Sequence, residues 1–177
     1  MTKKQQIIVA VILVALGVAT RLLPHPANFT PLAAIAMFSG FYFSKKIAIA
    51  LPAVAMLIGD IFIGFYEWPV MISVYVCFIL SFAIGRLVKK FQNATGILSA
   101  TLGGSVVFYL VTNWAVWQFS PWYAKTFSGL INCYIAALPF FRNTLMGDIF
   151  FSGVLFGAYF WIKYQAGKTH LAPASVK

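Results

Sequence analysis

Val70-Met71-Ile72-Ser73-Val74-Tyr75-Val76-Cys77-Phe78-Ile79-Leu80-Ser81-Phe82-Ala83-Ile84-Gly85-Arg86-Leu87-Val88 carries one charge in nineteen residues, close to its end. Trp68-Pro69 precede it and Lys89-Lys90 follow it. A hydrocarbon core of ~30 Å is crossed by about 20 helical residues at 1.5 Å each, so this stretch reads as a transmembrane helix. Five more apolar stretches flank it, at 6–23, 31–44, 46–66, 96–118 and 142–164. The expected fold is therefore an all-α integral membrane protein with six transmembrane helices. It forms a single transmembrane domain over residues 1–177 with a loose polar tail at 165–177. Stretch 31–44 is short for a span and is expected at the bundle edge, tilted or partly inserted. Segment 119–141 is aromatic and interrupted by Pro121 and Pro139, so it reads as irregular, with room for a short interfacial helix.

Composition agrees. Of 177 residues, 62% are hydrophobic, 18% aromatic and 9% charged, against about 25% charged in soluble domains. These values exclude a soluble enzyme, a disordered chain and a nucleic-acid binder, although the net charge is +10. In a membrane protein such an excess reports orientation, because Lys and Arg collect in cytoplasmic loops. With the N-terminus inside, ten cations fall on the cytoplasmic side: Lys3, Lys4, Lys45, Lys46, Arg86, Lys89, Lys90, Lys163, Lys168 and Lys177. Only Arg21, Lys125 and Arg142 fall outside. Both termini are thus expected in the cytoplasm. The Lys3-Lys4 pair followed by an apolar run has the form of a signal peptide, but it is read as the first span.

The polar residues gather at the other end. Asp60, Glu67 and Asp148 are the only acids, and all fall near outer helix ends in this topology, with His25, Asn28, Asn113 and Arg142. An outward-opening polar pocket is expected. Asp60 and Asp148 share a context, Gly59-Asp60-Ile61-Phe62 and Gly147-Asp148-Ile149-Phe150. They sit at the close of the third helix and the opening of the sixth, about two turns in, which suggests inverted three-helix halves. Each Asp either pairs with Arg21 or Arg142 to pin helices, or contacts ligand, or does both. Pro24, Pro26 and Pro31 stiffen the first outer loop, which acts as a lid carrying His25 and Asn28 or as a plain rigid turn. Trp117 and its aromatic neighbours form an interfacial belt or stack on a ligand ring. Cys77, near Tyr75, is a small buried hydrophobe or a soft metal ligand. Cys133 is expected at a different depth, which argues against a disulfide. No Walker, HExxH, GxSxG or CxxC motif occurs, so an enzyme is not expected.

Six short helices with both ends inside and an outward polar pocket resemble the substrate-binding S components of energy-coupling factor vitamin transporters. The resemblance covers about residues 6–164. It implies docking on a transmembrane coupling subunit with ATPases through small residues four apart on the first helix, here Ala15 and Ala19. The solitary cobalamin transporters of that group resemble this chain in size and in a cysteine at about the Cys77 position. That likeness implies cobalamin as ligand and Cys77 as a cobalt ligand, with no intrinsic cofactor. The Pro24–Pro31 stretch and the aspartate after Gly59 also resemble a family of uncharacterised small bacterial membrane proteins. The expected function is binding or transport of a vitamin-like micronutrient from the outer face of a bacterial inner membrane, with the lipid bilayer and a small molecule as partners. The alternatives are a membrane scaffold or assembly subunit, and a proton-coupled carrier using Asp60 or Asp148.

Overall fold

The computed structural model describes residues 3–171, with side chains through residue 166. Six helices make up the described chain: α1 (Lys3–Leu22), α2 (Leu32–Tyr42), α3 (Lys45–Ile63), α4 (Trp68–Val88), α5 (Ala94–Phe119) and α6 (Phe127–Leu171). Five are long and apolar enough to cross a membrane; α2, with 11 residues, is not. The chain is an all-α, multi-pass membrane protein.

Two expectations are corrected. First, α2 sits at the centre of the bundle, not at its edge. Leu32 and every residue from Ala34 to Phe41 are buried, and α2 packs against each of the other five helices. A helix that is apolar on every side has no polar face to expose, so burial all round is its stable position. Gly40 and Gly85 permit the closest crossing. A Cβ at Gly40 would strike the backbone carbonyl of Phe82, and one at Gly85 the carbonyl of Met37. Small residues at such crossings let helix backbones approach.

Second, segment 119–141 is not irregular throughout. Residues from Phe127 onward belong to α6, which runs for 45 residues with Pro139 inside it. At 1.5 Å per residue this is about 67 Å, more than twice the ~30 Å hydrocarbon core. The Thr126 hydroxyl accepts from the Gly129 N–H at 3.1 Å and starts the helix. Pro139 forfeits one backbone donor but does not end the helix; neighbouring groups in a bundle often compensate. The expected loose tail at 165–177 is likewise helical to Leu171, and residues 172–177, with Lys177, lie outside the described residues.

An 11-residue helix rises about 16 Å, half a bilayer core. The loop before it makes up part of the difference by descending into the bundle. Asn28 takes a left-handed φ of 65° and turns the chain. Phe29 packs between Phe150 and Phe151, with ring centroids 6.1 and 5.5 Å away. Pro31 is fully buried. The Asn143 amide donates to the Ala27 carbonyl at 3.0 Å. Non-helical backbone at such depth is tolerated because protein covers it.

The opposite end is built from aromatic rings. Phe41 lies 5.2 Å from Phe156 and 5.3 Å from Tyr159, both edge-on, and Phe38 joins them. Edge-on pairs add about 0.5–1.5 kcal/mol beyond area burial. The starts of α1 and α3 and the end of α4 bring Lys3, Lys4, Lys45, Lys46, Arg86, Lys89 and Lys90 to this end. Arg86 donates to the Phe43 carbonyl at 3.4 Å across the α2–α3 turn. Lys168 lies beyond the residues whose side chains are described.

The glycine contacts lead to a paired prediction. Gly40→Ala forces two backbones apart and should lower the melting temperature in detergent, at a cost of about 1–3 kcal/mol for overpacking. Gly153→Ala, where a Cβ meets nothing within 4 Å, should be neutral or raise it, because Ala is the better helix former by up to about 1 kcal/mol. Equal melting of the two variants would contradict this packing.

Candidate functional site

Arg21, the last-turn cation of α1, reaches α3. Its guanidinium donates to Asp60 Oδ1 at 2.5 Å and also to the Met56 sulfur. The Tyr75 hydroxyl of α4 donates to the other carboxylate oxygen at 3.2 Å. Asp60 is fully buried, so one carboxylate ties three helices together. Gly59 provides the passage, because a Cβ there would meet the Arg21 side chain. The expected Arg21–Asp60 pairing is therefore present. Asp60 lies one turn from the end of α3, shallower than the two turns expected.

Above α2 lies a cavity of about 440 Å³. Leu32 and Ala33 at the start of α2 form its floor, and His25, Asn28 and Thr30 of the descending loop lie at its side. Arg21, Met56 and Ile63 contribute from α1 and α3, and Val70, Val74 and Phe78 from α4. One stripe of α5 (Tyr109, Thr112, Asn113, Val116) and one of α6 (Ala137, Phe141, Thr144, Asp148) complete the wall. Both stripes step by three or four residues, the repeat of one helix face. Tyr66, in the α3–α4 loop, stands at the rim. Burial, and then the nearby Asp60 carboxylate, push its phenol up to about 12, so it stays neutral at ordinary pH.

Of the residues expected to bind ligand, His25, Asn28, Asn113 and Asp148 line this cavity. The others do not. Asp60 and Tyr75 stand behind Arg21 as its support. Cys77 is buried, but the α4 stripe facing the cavity is Val70, Val74 and Phe78, and Cys77 is turned about 100° from Phe78. It is not at the floor of the cavity, and no group of three metal-ligating side chains exists among the described residues. Trp117 binds the Ala124 carbonyl at 2.9 Å and closes the α5–α6 loop. Arg142 is exposed on α6 and pairs with neither acid. Cys77 and Cys133 are both free, as their depths implied.

Asp148 corrects a further expectation. It is the twenty-second residue of α6, deep within it and not near its start, so the shared Gly-Asp-Ile-Phe context does not mark equivalent positions in two halves. Gly147 instead makes room for the loop, whose Phe29 and Thr30 backbone a Cβ would approach to 3.3 Å. Asp148 is 4% exposed, and its Oδ2 lies 2.6 Å from the Ser105 hydroxyl. No ion pair forms there; Arg21–Asp60 is the only one among the described residues. Sequence reasoning missed Thr112, Tyr109 and Thr144 as wall residues, although their i, i+3, i+4 spacing with Asn113 and Asp148 was the available signal.

Replacing Arg21 by Met or Asp60 by Leu leaves one charge buried and unpaired, which should destabilise the protein by about 3–5 kcal/mol. The double variant should melt well above either single one, since it removes both charges. Additive losses in a double-mutant cycle would refute the coupling.

The model of a family of unknown function, DUF6580, matches residues 1–171. No curated protein and no solved structure gives a match. The chain belongs to the DUF6580 family.

Proposed function

We propose that the protein is a membrane binding component for a small, vitamin-like molecule taken from the outer face of a bacterial inner membrane. The observation that supports this reading is the cavity of about 440 Å³ at the end of the bundle away from the lysines. That volume lies in the range of ~300–1,000 Å³ used for small ligands, and aromatic walls with a few convergent polar groups are their usual surroundings. The positive-inside rule turns the lysine end to the cytoplasm and the cavity outward.

A coupling subunit is the proposed partner. α1 lies at the edge of the bundle, packed on α3 and barely on α2, and Ala15 and Ala19 remain exposed on it. That small-residue face is free for a neighbouring helix. Cobalamin is the weaker choice of ligand. A corrinoid with its nucleotide tail is bulkier than this cavity, and Cys77 is not in its wall.

Protein purified from its host membranes should carry a small molecule detectable by native mass spectrometry. Val74→Trp, which fills the cavity from α4, should lose it while remaining folded. A bound corrinoid would appear as visible absorbance and restore the cobalamin reading. Absence of any ligand from the wild type would favour the scaffold.

Orientation is tested separately. A cysteine at position 25 should react with a membrane-impermeant reagent in intact cells, and one at position 46 only after permeabilisation. The reverse pattern would put the cavity on the cytoplasmic side.

A further inference from the structure

We propose that the ligand of this cavity is an organic monocation, and that Asp148 binds its charge by giving up a proton. The proposal rests on the binding role above and names the chemical class that the cavity selects.

The charges facing the cavity can be followed element by element. Arg21 of α1 is neutralised by Asp60 of α3. His25 lies on the exposed loop, its Nδ1 2.7 Å from the Leu23 carbonyl. α4 adds no charge to the wall. Tyr66 from the α3–α4 loop and Tyr109 from α5 are phenols, neutral at ordinary pH. α2 presents its N-terminus, which no side chain caps, and a helix start is equivalent to about half a positive charge. α6 contributes Asp148. A full carboxylate at this depth therefore faces at most a partial countercharge, and a carboxylate inside a bundle without a counterion is costly. The site has two ways to avoid that cost: hold the proton, or hold a cation.

Ser105 is placed to serve both states. Its hydroxyl lies 2.6 Å from Asp148 Oδ2 and 3.0 Å from the Thr101 carbonyl. A hydroxyl has one proton to donate and lone pairs to accept with. With Asp148 protonated, the acid donates to Ser105 Oγ, which donates to Thr101. With Asp148 ionised, Ser105 turns its proton to the carboxylate. The other carboxylate oxygen has no protein donor among the described residues and is left for a ligand. The exchange balances: the acid plus a cation gives the carboxylate–cation pair plus one proton, which leaves through the cavity mouth. Phe108 and Tyr109 of α5 and Phe140 and Phe141 of α6 line this cavity, and aromatic rings attract a cation within about 6 Å. Affinity for a permanent cation should therefore fall as pH falls and the proton competes.

The test uses the full chain in detergent, with N-methylquinolinium as a permanent cation and neutral quinoline at pH 8 as its near-isostere. Calorimetry in buffers of different ionisation enthalpy should show N-methylquinolinium bound with release of up to one proton per cation. Asp148→Asn should weaken that binding at least tenfold, abolish the proton release and remove the preference for the cation over quinoline. If Asp148→Asn does not fold, Ser105→Ala should weaken the cation selectively by removing the carboxylate's donor. Equal cation binding by wild type and variant, preference for quinoline, or heat from neither probe overturns the proposal. If the co-purified molecule proves neutral or anionic, the cation reading falls and the binding role stands; if the cavity holds nothing, both fall.

Discussion

Eleven residues of α2 cannot cross a bilayer, and the rest of the bundle is arranged around that shortfall. α3, α4 and α6 pack closely around α2 while α1 and α5 only touch it, and the Gly40 and Gly85 contacts clamp it to α4 with almost no space between backbones. Its C-terminal end is fixed at the lysine end by the aromatic rings of α6. The missing length is therefore all at the other end. There the helices around it continue, and the space above Leu32 and Ala33 is left partly empty. The cavity is the geometric remainder of a short helix inside long ones. The proline-bearing loop occupies part of that remainder and furnishes one wall of what is left.

The two Gly-Asp pairs show how one local motif serves different roles. In both, glycine admits a foreign segment: the Arg21 side chain at Gly59, the Phe29–Thr30 backbone at Gly147. What arrives decides the outcome for the aspartate. Asp60 receives a guanidinium and a phenol and becomes a satisfied structural tie. Asp148 receives backbone with no charge and keeps one hydroxyl neighbour. A fully partnered buried acid is explained by the fold itself. An acid left short of partners at a cavity wall is where a sequence departs from folding requirements, and such departures concentrate at functional sites.

Which stretches form apolar helices was legible in the sequence, whereas azimuth around each helix was not. Lysine positions, the apolar stretches and Arg21 as one of two candidate partners for Asp60 follow from counting residues between loops, and Arg21 is the one that pairs with it. Cys77 and Arg142 were placed at roughly the right level, but they face away from the cavity. α4 is apolar on nearly all sides and carries no periodic stripe that fixes its rotation. On α5 only Asn113 was singled out from the sequence, although Thr101, Ser105 and Thr112 share its face; Thr112 and Asn113 line the cavity and Ser105 reaches Asp148. α6 was cut short for a different reason. Pro139 and the aromatic residues before it mimic a boundary, yet packing of Tyr134 and Phe141 on Tyr109, at 5.4 and 4.6 Å, holds the helix through it. Tertiary contact outweighed the local signal.

Stiffness is unevenly distributed as a consequence. At the lysine end, backbone-to-backbone glycine contacts and interlocked rings leave no small displacement that keeps the packing. At the cavity end, the loop from Leu23 to Asn28 is exposed. One side-chain hydrogen bond, Asn143 to Ala27, holds it to α6, together with the Phe29 ring contacts below. That hydrogen bond is worth about 0.5–1.5 kcal/mol net. Separating helices to reach the cavity would break the Arg21–Asp60–Tyr75 tie across α1, α3 and α4, where a single lost partner strands a buried charge. The same shortfall that creates the cavity thus leaves its loop wall more lightly held than its helical walls.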